Sequence, residues 1–326
     1  MVTGLIKHNL ISILICSSDR RKDLEKLIDS LKGVNTAYAY EIVVVEETDY
    51  PLPIDGIRYI PHPVCNRGIP YARNLALANA KGNIVVFLDD DCQIYDGWLD
   101  KLLQPFDDFS VVGIQGGVTA PDSTNAIGWA ESILGFPGGG ISRILKANRK
   151  VQETREISTL NCAYRKWVIQ EVGGFDDRLK FGGEDYVFAK LACNYGRCLF
   201  VPEATVNHEA RGSLIKIWQW FSRRGLADVD VIRIVLQSDR TFLTLIKSSL
   251  TIKLFTFLLT VLFSPYFNGF LIPLILLMYV FFQYARYFGA WRSSKAPFSA
   301  LIVLPLVKVV MDIGMDWGRI RGLRSG

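Results

Sequence analysis

An unbroken apolar run, IVVFL (84–88), passes directly into Asp89-Asp90-Asp91. A short run of Ile, Val, Phe and Leu with no polar face reads as a strand buried on both sides. Three adjacent carboxylates cannot join that core, because they repel one another unless a cation or donors offset the charge. The run therefore sets both a central strand and the polar end where it stops. A hard divalent ion bridging to substrate phosphates is the simplest remedy for such a cluster.

The neighbouring segments say what kind of sheet holds this strand. ISILIC (11–16) and EIVVVEE (41–47) are further buried strands, and the charged, periodic stretch 20–32 between them is a helix ending at Gly33. A second helix is expected over 70–80, with Pro70 in its first turn and Gly82 just beyond its end. Strand and helix alternate, so the expected class is α/β: a Rossmann-like, mostly parallel sheet with helices on both faces. Ligands gather at the carboxyl ends of strands in such sheets. Glu46, Glu47 and Asp89 to Asp91 all stand at such ends and should converge on one cleft. Another strand is expected at 111–118. The stretch 135–150, with Gly138-Gly139-Gly140 and several basic residues, lacks the Lys-Ser/Thr of a phosphate loop and reads as a lid or surface loop.

A second acidic pair, Glu184-Asp185, follows Gly173-Gly174-Phe175-Asp176 and Gly182-Gly183. Glycines before a carboxylate pair let a ligand approach the backbone, and such a carboxylate suits a base for a sugar hydroxyl. His208 follows the β-prone stretch LFVPEATV, where a strand-end imidazole completes a metal site.

Charge divides the chain. From residue 240 onward ten Lys/Arg face two Asp/Glu, giving +8 against a chain total of +5, so the first 239 residues carry about −3. The basic residues flank apolar runs, which points to an anionic membrane surface and not to nucleic acid. Residues 1–240 are expected to form the catalytic domain. Residues 241–326 are expected to form a membrane hairpin, about 247–264 and 270–286, followed by an interfacial amphipathic helix at about 299–317. Each core run falls short of the ~20 residues of a span, but the flanks supply the rest. Basic outer ends and the uncharged turn SPYFNG put the ends, and the catalytic domain, on the cytoplasmic side. The six cysteines form no CxxC pair or zinc-type cluster and are expected to be reduced and structural. The seven-residue apolar run at 10–16 is too short for a signal peptide and reads as a buried strand.

With these residues in place, the chain resembles family-2 glycosyltransferases of the GT-A fold over roughly residues 10 to 225. NRGIPYARNLALANAKGNIVVFLDDD (66–91) is similar to that family's loop, helix and DxD strand, and 173–213 to its acceptor region. The resemblance implies roles. Glu46 contacts the nucleotide base, Arg73 the nucleotide, and Asp89, with Asp90 beside it, the ribose and diphosphate. Asp91 ligates Mg²⁺ or Mn²⁺, with His208 as a further metal or diphosphate contact. Asp185 is the general base, with Glu184 the alternative. The implied donor is a UDP-, GDP- or dTDP-sugar and the acceptor a glycan or lipid-linked molecule. Two stretches depart from the family pattern: Glu46-Glu47-Thr48 replaces acid-acid-Gly-Ser, and Cys16-Ser17-Ser18-Asp19 replaces Pro-Thr-Tyr-Asn. Both bear on the donor pocket. WQWFSRRG (218–225) has the wrong spacing for the QxxRW motif of processive synthases, so single-sugar transfer is expected.

Three other readings compete. A polyprenyl-phosphate glycosyltransferase has an acceptor that is already ionised and needs no base. A nucleotidyltransferase calls for a Gly-rich loop after the first strand, where CSSDRRKD has no glycine. A non-catalytic membrane protein of glycan export would not consume a donor.

Overall fold

The runs at 11–16, 41–47 and 84–88 become neighbouring parallel strands. In the computed structural model, which describes residues 10–65, 67–236, 245, 249–263 and 271–324, β1 (Ile11–Ser18) lies between β2 (Tyr40–Glu47) and β4 (Ile84–Asp89). β3 (Arg58–His62) pairs outside β2, again parallel. Both faces of these strands are apolar because both are covered. Ile11, Ile13 and Ile15 face one core together with Leu24, Leu27, Ile28 and Leu31 of α1 (Arg21–Lys32). That i, i+3, i+4, i+7 stripe seats the helix, each buried side chain contributing about 1.5–3 kcal/mol. Leu14, Val85 and Phe87 face the other core with Ala72 and Ala76 of α2 (Ile69–Asn79).

Beyond β4 the sheet is mixed. β5 (Cys92–Gln93) and α3 (Trp98–Leu103) precede β6 (Val111–Thr119). The short β7 (Gln152–Glu153), β8 (Asn161–Arg165) and β9 (Arg197–His208) come later. The order is β3-β2-β1-β4-β8-β6-β9-β5, with β7 on β9. β8 enters between β4 and β6 antiparallel to both, while β6 and β9 run parallel. Asn161 fixes this junction. Its amide donates to the carbonyls of Gly117 and Ala204 at 2.8 Å each, and its oxygen accepts from Trp98 Nε1 at 2.9 Å. A buried amide so fully satisfied specifies one strand arrangement.

The stretch expected as a lid or loop at 135–150 contains a helix, α5 (Gly140–Ala147). Gly138, Gly139 and Gly140 all adopt positive φ (60°, 97° and 52°), so the glycine run turns the chain into a helix. Arg143 of α5 donates to Thr154 Oγ1 at 2.7 Å and to the carbonyl of Glu156 at 2.9 Å, and lies over the Phe200 ring.

The chain divides into two compact units, Met1–Pro121 with Pro137–Glu209, and Asp122–Phe136 with Ala210–Gly326. The sequence put the boundary near 240. Instead α8 (Leu214–Asp230) and α4 (Ala126–Ile133) join the second unit, because both pack on its last helix, α11 (Phe298–Arg324). That contact is close: a methyl placed on Gly318 would run into the Ser222 carbonyl. Of the expected hairpin, α9 (Leu250–Leu262) and α10 (Leu271–Arg292) are helical, and α10 runs past the expected 286. The turn at 264–269 lies outside the described residues. α11 is long and apolar enough to cross a membrane by length and composition. On it Ile302, Leu306 and Ile313 are exposed while Lys308, Asp312 and Asp316 are largely buried.

Candidate active site

Strand register brings the site together. Cys16 of β1 stands beside Asp89 of β4, and Ser17 beside Glu46 of β2, so the carboxyl ends of three strands form one row. β5 turns back after Asp91 and pairs with the end of β9, which sets Cys92 opposite His208. An imidazole 117 positions downstream of Asp91 is thereby delivered to the acid triplet.

Asp89, Asp91 and His208 form one cluster, their ligating atoms all within 4.8 Å of one another. His208 Nε2 lies 3.0 Å from Asp91 Oδ1 and 3.7 Å from Asp89 Oδ2. Its Nδ1 is 2.8 Å from the Glu209 carbonyl. A proton on Nδ1 satisfies that carbonyl and leaves the Nε2 lone pair facing the carboxylates, an orientation typical of metal-binding imidazoles. Two carboxylate oxygens suit Mn²⁺ or Mg²⁺, and the imidazole nitrogen favours the transition ion Mn²⁺ of the two. The residues present therefore fit the divalent ion that the resemblance implies.

The electrostatics agree with a cation position. Burial opposes a charge on His208, yet hydrogen bonds to Asp89 and Asp91 outweigh it and push the imidazole up to about 10. Burial likewise disfavours the Asp91 anion, but His208 and Arg20 hold its carboxyl below the usual range. Asp90 stands outside this cluster. It accepts from Ser17 Oγ at 2.7 Å and pairs with Arg20 at 3.1 Å. Burial raises its carboxyl to about 6 against both partners.

The second acidic pair opens α7 (Glu184–Ala192). Gly183, at φ 87°, caps that helix in a conformation side chains resist. Asn74 of α2 clamps the preceding loop, donating to the Phe175 carbonyl at 2.8 Å and accepting from the Phe175 amide at 2.9 Å. The clamp sets Arg73 against Glu184, and the two form a buried ion pair. Burial pushes Glu184 up to about 7, against the pull of Arg73. Burial also opposes the Arg73 charge, which Glu184, then Asp89, Cys16 and Asp185, more than restore. Arg73 thus lies within electrostatic reach of both acidic groups. Asp185 is half-buried, and its carboxylate accepts from the Tyr186 amide at 2.8 Å. Glu46 is buried and forms its own group, pairing with Arg21 at 2.8 Å and accepting from the Tyr59 hydroxyl.

Sequence reasoning placed Ser17 in a stretch bearing on the donor pocket but missed Arg20, Arg21 and Tyr59. Arg20 also pairs with Asp91. The signal was present: Arg20-Arg21 follows the carboxyl end of β1, where cleft residues belong. All six cysteines are free; Cys65 is exposed, unlike the structural thiols expected.

The chain is similar to known proteins in sequence and fold. Residues 12–173 match the family described as Glycosyl transferase family 2. The succinoglycan biosynthesis protein ExoM of Rhizobium meliloti is 29% identical over 233 residues, covering 66% of this chain and 71% of that protein. A pre-mycofactocin glycosyltransferase of Mycobacterium tuberculosis is 24% identical over 225 residues, covering 67% of this chain and 46% of its own length. The chain thus spans about half of that relative. Among solved structures, the mannosyltransferase PcManGT of Pyrobaculum calidifontis, in complex with GDP-Man and Mn²⁺, aligns with a TM-score of 0.55 at 15% identity. The alignment covers 97% of this chain and 88% of that one. Over residues 12–173 the chain is thus similar to glycosyl transferase family 2, and its fold is of the GT-A type.

Proposed function

We propose that the protein is a metal-dependent, inverting glycosyltransferase that moves one sugar from a UDP-, GDP- or dTDP-sugar to a glycan or lipid-linked acceptor. The observation that carries this reading is the Asp89, Asp91 and His208 cluster, with Arg73 paired to Glu184, the sequence neighbour of Asp185. A Mg²⁺ or Mn²⁺ ion held by Asp91 and His208 would neutralise charge on the departing nucleoside diphosphate. Arg73 and Asp89 position the donor beside that ion, and Glu46 faces the base. Glu184 is committed to Arg73, which leaves Asp185 to take the proton from the acceptor hydroxyl. The oxygen then attacks the anomeric carbon from the face opposite the leaving group, so the configuration inverts in one displacement. ExoM, whose name assigns it to succinoglycan biosynthesis, supports an acceptor in cell-surface polysaccharide or glycolipid synthesis.

The helical unit anchors the enzyme to the cytoplasmic face of the membrane. Phe255, Phe257, Phe263, Leu277 and Phe281 are exposed on α9, its end and α10, large apolar side chains suited to lipid contact. The reading is tested by incubating purified protein with each nucleotide-sugar and a lipid extract, then determining the anomeric configuration of the product by NMR. Consumption of one donor with inversion is expected. Transfer with retention, or consumption of none, contradicts it.

A further inference from the structure

A second group of ligating side chains lies apart from the acid triplet. Glu47 ends β2 and His62 ends β3, and the two stand directly opposite in the parallel register. The Thr48 amide donates to the His62 carbonyl at 2.9 Å, which fixes the strand ends together. Three residues after His62 the chain returns Cys65 to the same place. The Cys65 amide donates to Glu47 Oε1 at 3.0 Å, holding the carboxylate beside the thiol.

The ligating atoms of Glu47, His62 and Cys65 all lie within 4.8 Å of one another. His62 Nδ1 is 3.8 Å from Cys65 Sγ. A tetrahedral zinc ion with Zn–S near 2.3 Å and Zn–N near 2.05 Å separates those atoms by about 3.6 Å, so the pair already stands close to the spacing of such a site. Nδ1 is the His62 nitrogen that faces Cys65. Nδ1 lies 3.1 Å from the adjacent Pro63 carbonyl, and Nε2 is buried with no hydrogen-bond partner among the described residues. The His62 ring packs edge-on against Tyr71, with centroids 5.7 Å apart, which limits its rotation. Glu47 and His62 are half-buried and Cys65 is exposed, so an ion has a path in.

We infer that Glu47, His62 and Cys65 bind a thiophilic divalent ion, Zn²⁺ by preference. A thiolate and an imidazole favour zinc over magnesium or calcium. Three protein ligands leave a fourth position for water. This chemistry differs from that of Asp89, Asp91 and His208, which lacks sulfur, so the two sites select different metals. Occupancy ties the end of β3 to the end of β2 one residue from Glu46. Any effect on donor affinity through that link rests on the donor reading above; metal binding itself does not.

The test uses full-length protein carrying Asp91→Asn, so that the acid triplet does not compete, stripped of metal and titrated with Co²⁺. A stoichiometric thiolate-to-cobalt charge-transfer band is expected, and Zn²⁺ should displace it. Adding Cys65→Ser should abolish the band while leaving the melting temperature of the metal-free protein unchanged. His62→Ala should weaken Co²⁺ binding by more than the roughly 10–100-fold that loss of an outer-shell partner costs. Absence of the band with Cys65 intact, or its persistence in Cys65→Ser, overturns the proposal. Neither readout depends on sugar transfer.

Discussion

The α/β unit and the helical unit both bury charge, but they balance it differently. Among the described residues of the helical unit, several buried charges close on neighbours. Arg319 pairs with Asp228 at 2.7 Å and Asp316 at 3.1 Å, Ser249 donates to Asp316 at 2.6 Å, Lys308 pairs with Asp312, and Arg211 with Glu131 at 2.6 Å. In the α/β unit, Asp89, Asp90 and Asp91 share Arg20 and His208, and the Glu184 carboxyl is driven up to about 7. Balanced buried charge serves architecture, whereas a surplus of one sign with shifted carboxyls marks a place where a ligand completes the set.

The sharpest way to break this contrast is to remove surplus charge. Asp91→Asn should lower sugar transfer by at least about 10³-fold, since a metal's charge stabilisation is worth several kcal/mol. Unaltered turnover would place the surplus outside the chemistry. Asp185→Asn should cost on the order of 10²–10⁴-fold in turnover with donor affinity retained. Glu184→Gln, measured beside it, should weaken donor binding through Arg73. If only the Glu184 variant loses turnover, the base is Glu184. If neither does, the acceptor arrives ionised, as a polyprenyl phosphate would.

A change in the helical unit should act on stability alone. Gly318→Ala sets a methyl against the Ser222 carbonyl and should cost about 1–3 kcal/mol by denaturant titration, with turnover per folded molecule unchanged. A further expected effect is a pH slope. Glu184 is raised from 4.5 to about 7, so between those values the folded state holds a proton that the unfolded chain has lost. Stability therefore falls as pH rises through that window. Melting curves across it should show the slope in the wild type and lose it in Glu184→Gln.

Much of the first half was legible because each apolar run is buried on both faces and each helix is punctuated by Pro or Gly. β8 was not: its five residues, NCAYR, are polar at both ends, and their burial depends on Asn161 and Arg165 finding carbonyls on other elements. α5 was hidden because a glycine run reads as a loop until its φ angles are known. For the site, Asp89 to Asp91 announced themselves by sitting at a strand end. Arg20 did not, since a basic residue at the start of a helix looks like solvated surface until the fold sets it beside Asp90. Which of Glu184 and Asp185 turns inward follows from the Gly183 cap and the Asn74 clamp, neither of which periodicity reveals.

The most direct test of the central claim is thermal shift with nucleotide-sugars, with Mn²⁺ and with EDTA, on wild type and Asp91→Asn. Ligand at 100 times its dissociation constant stabilises a protein by about 2.7 kcal/mol. The account predicts a rise in melting temperature with one donor class and Mn²⁺ that vanishes in EDTA and in Asp91→Asn. An equal rise in EDTA, or an undiminished one in the variant, would contradict it.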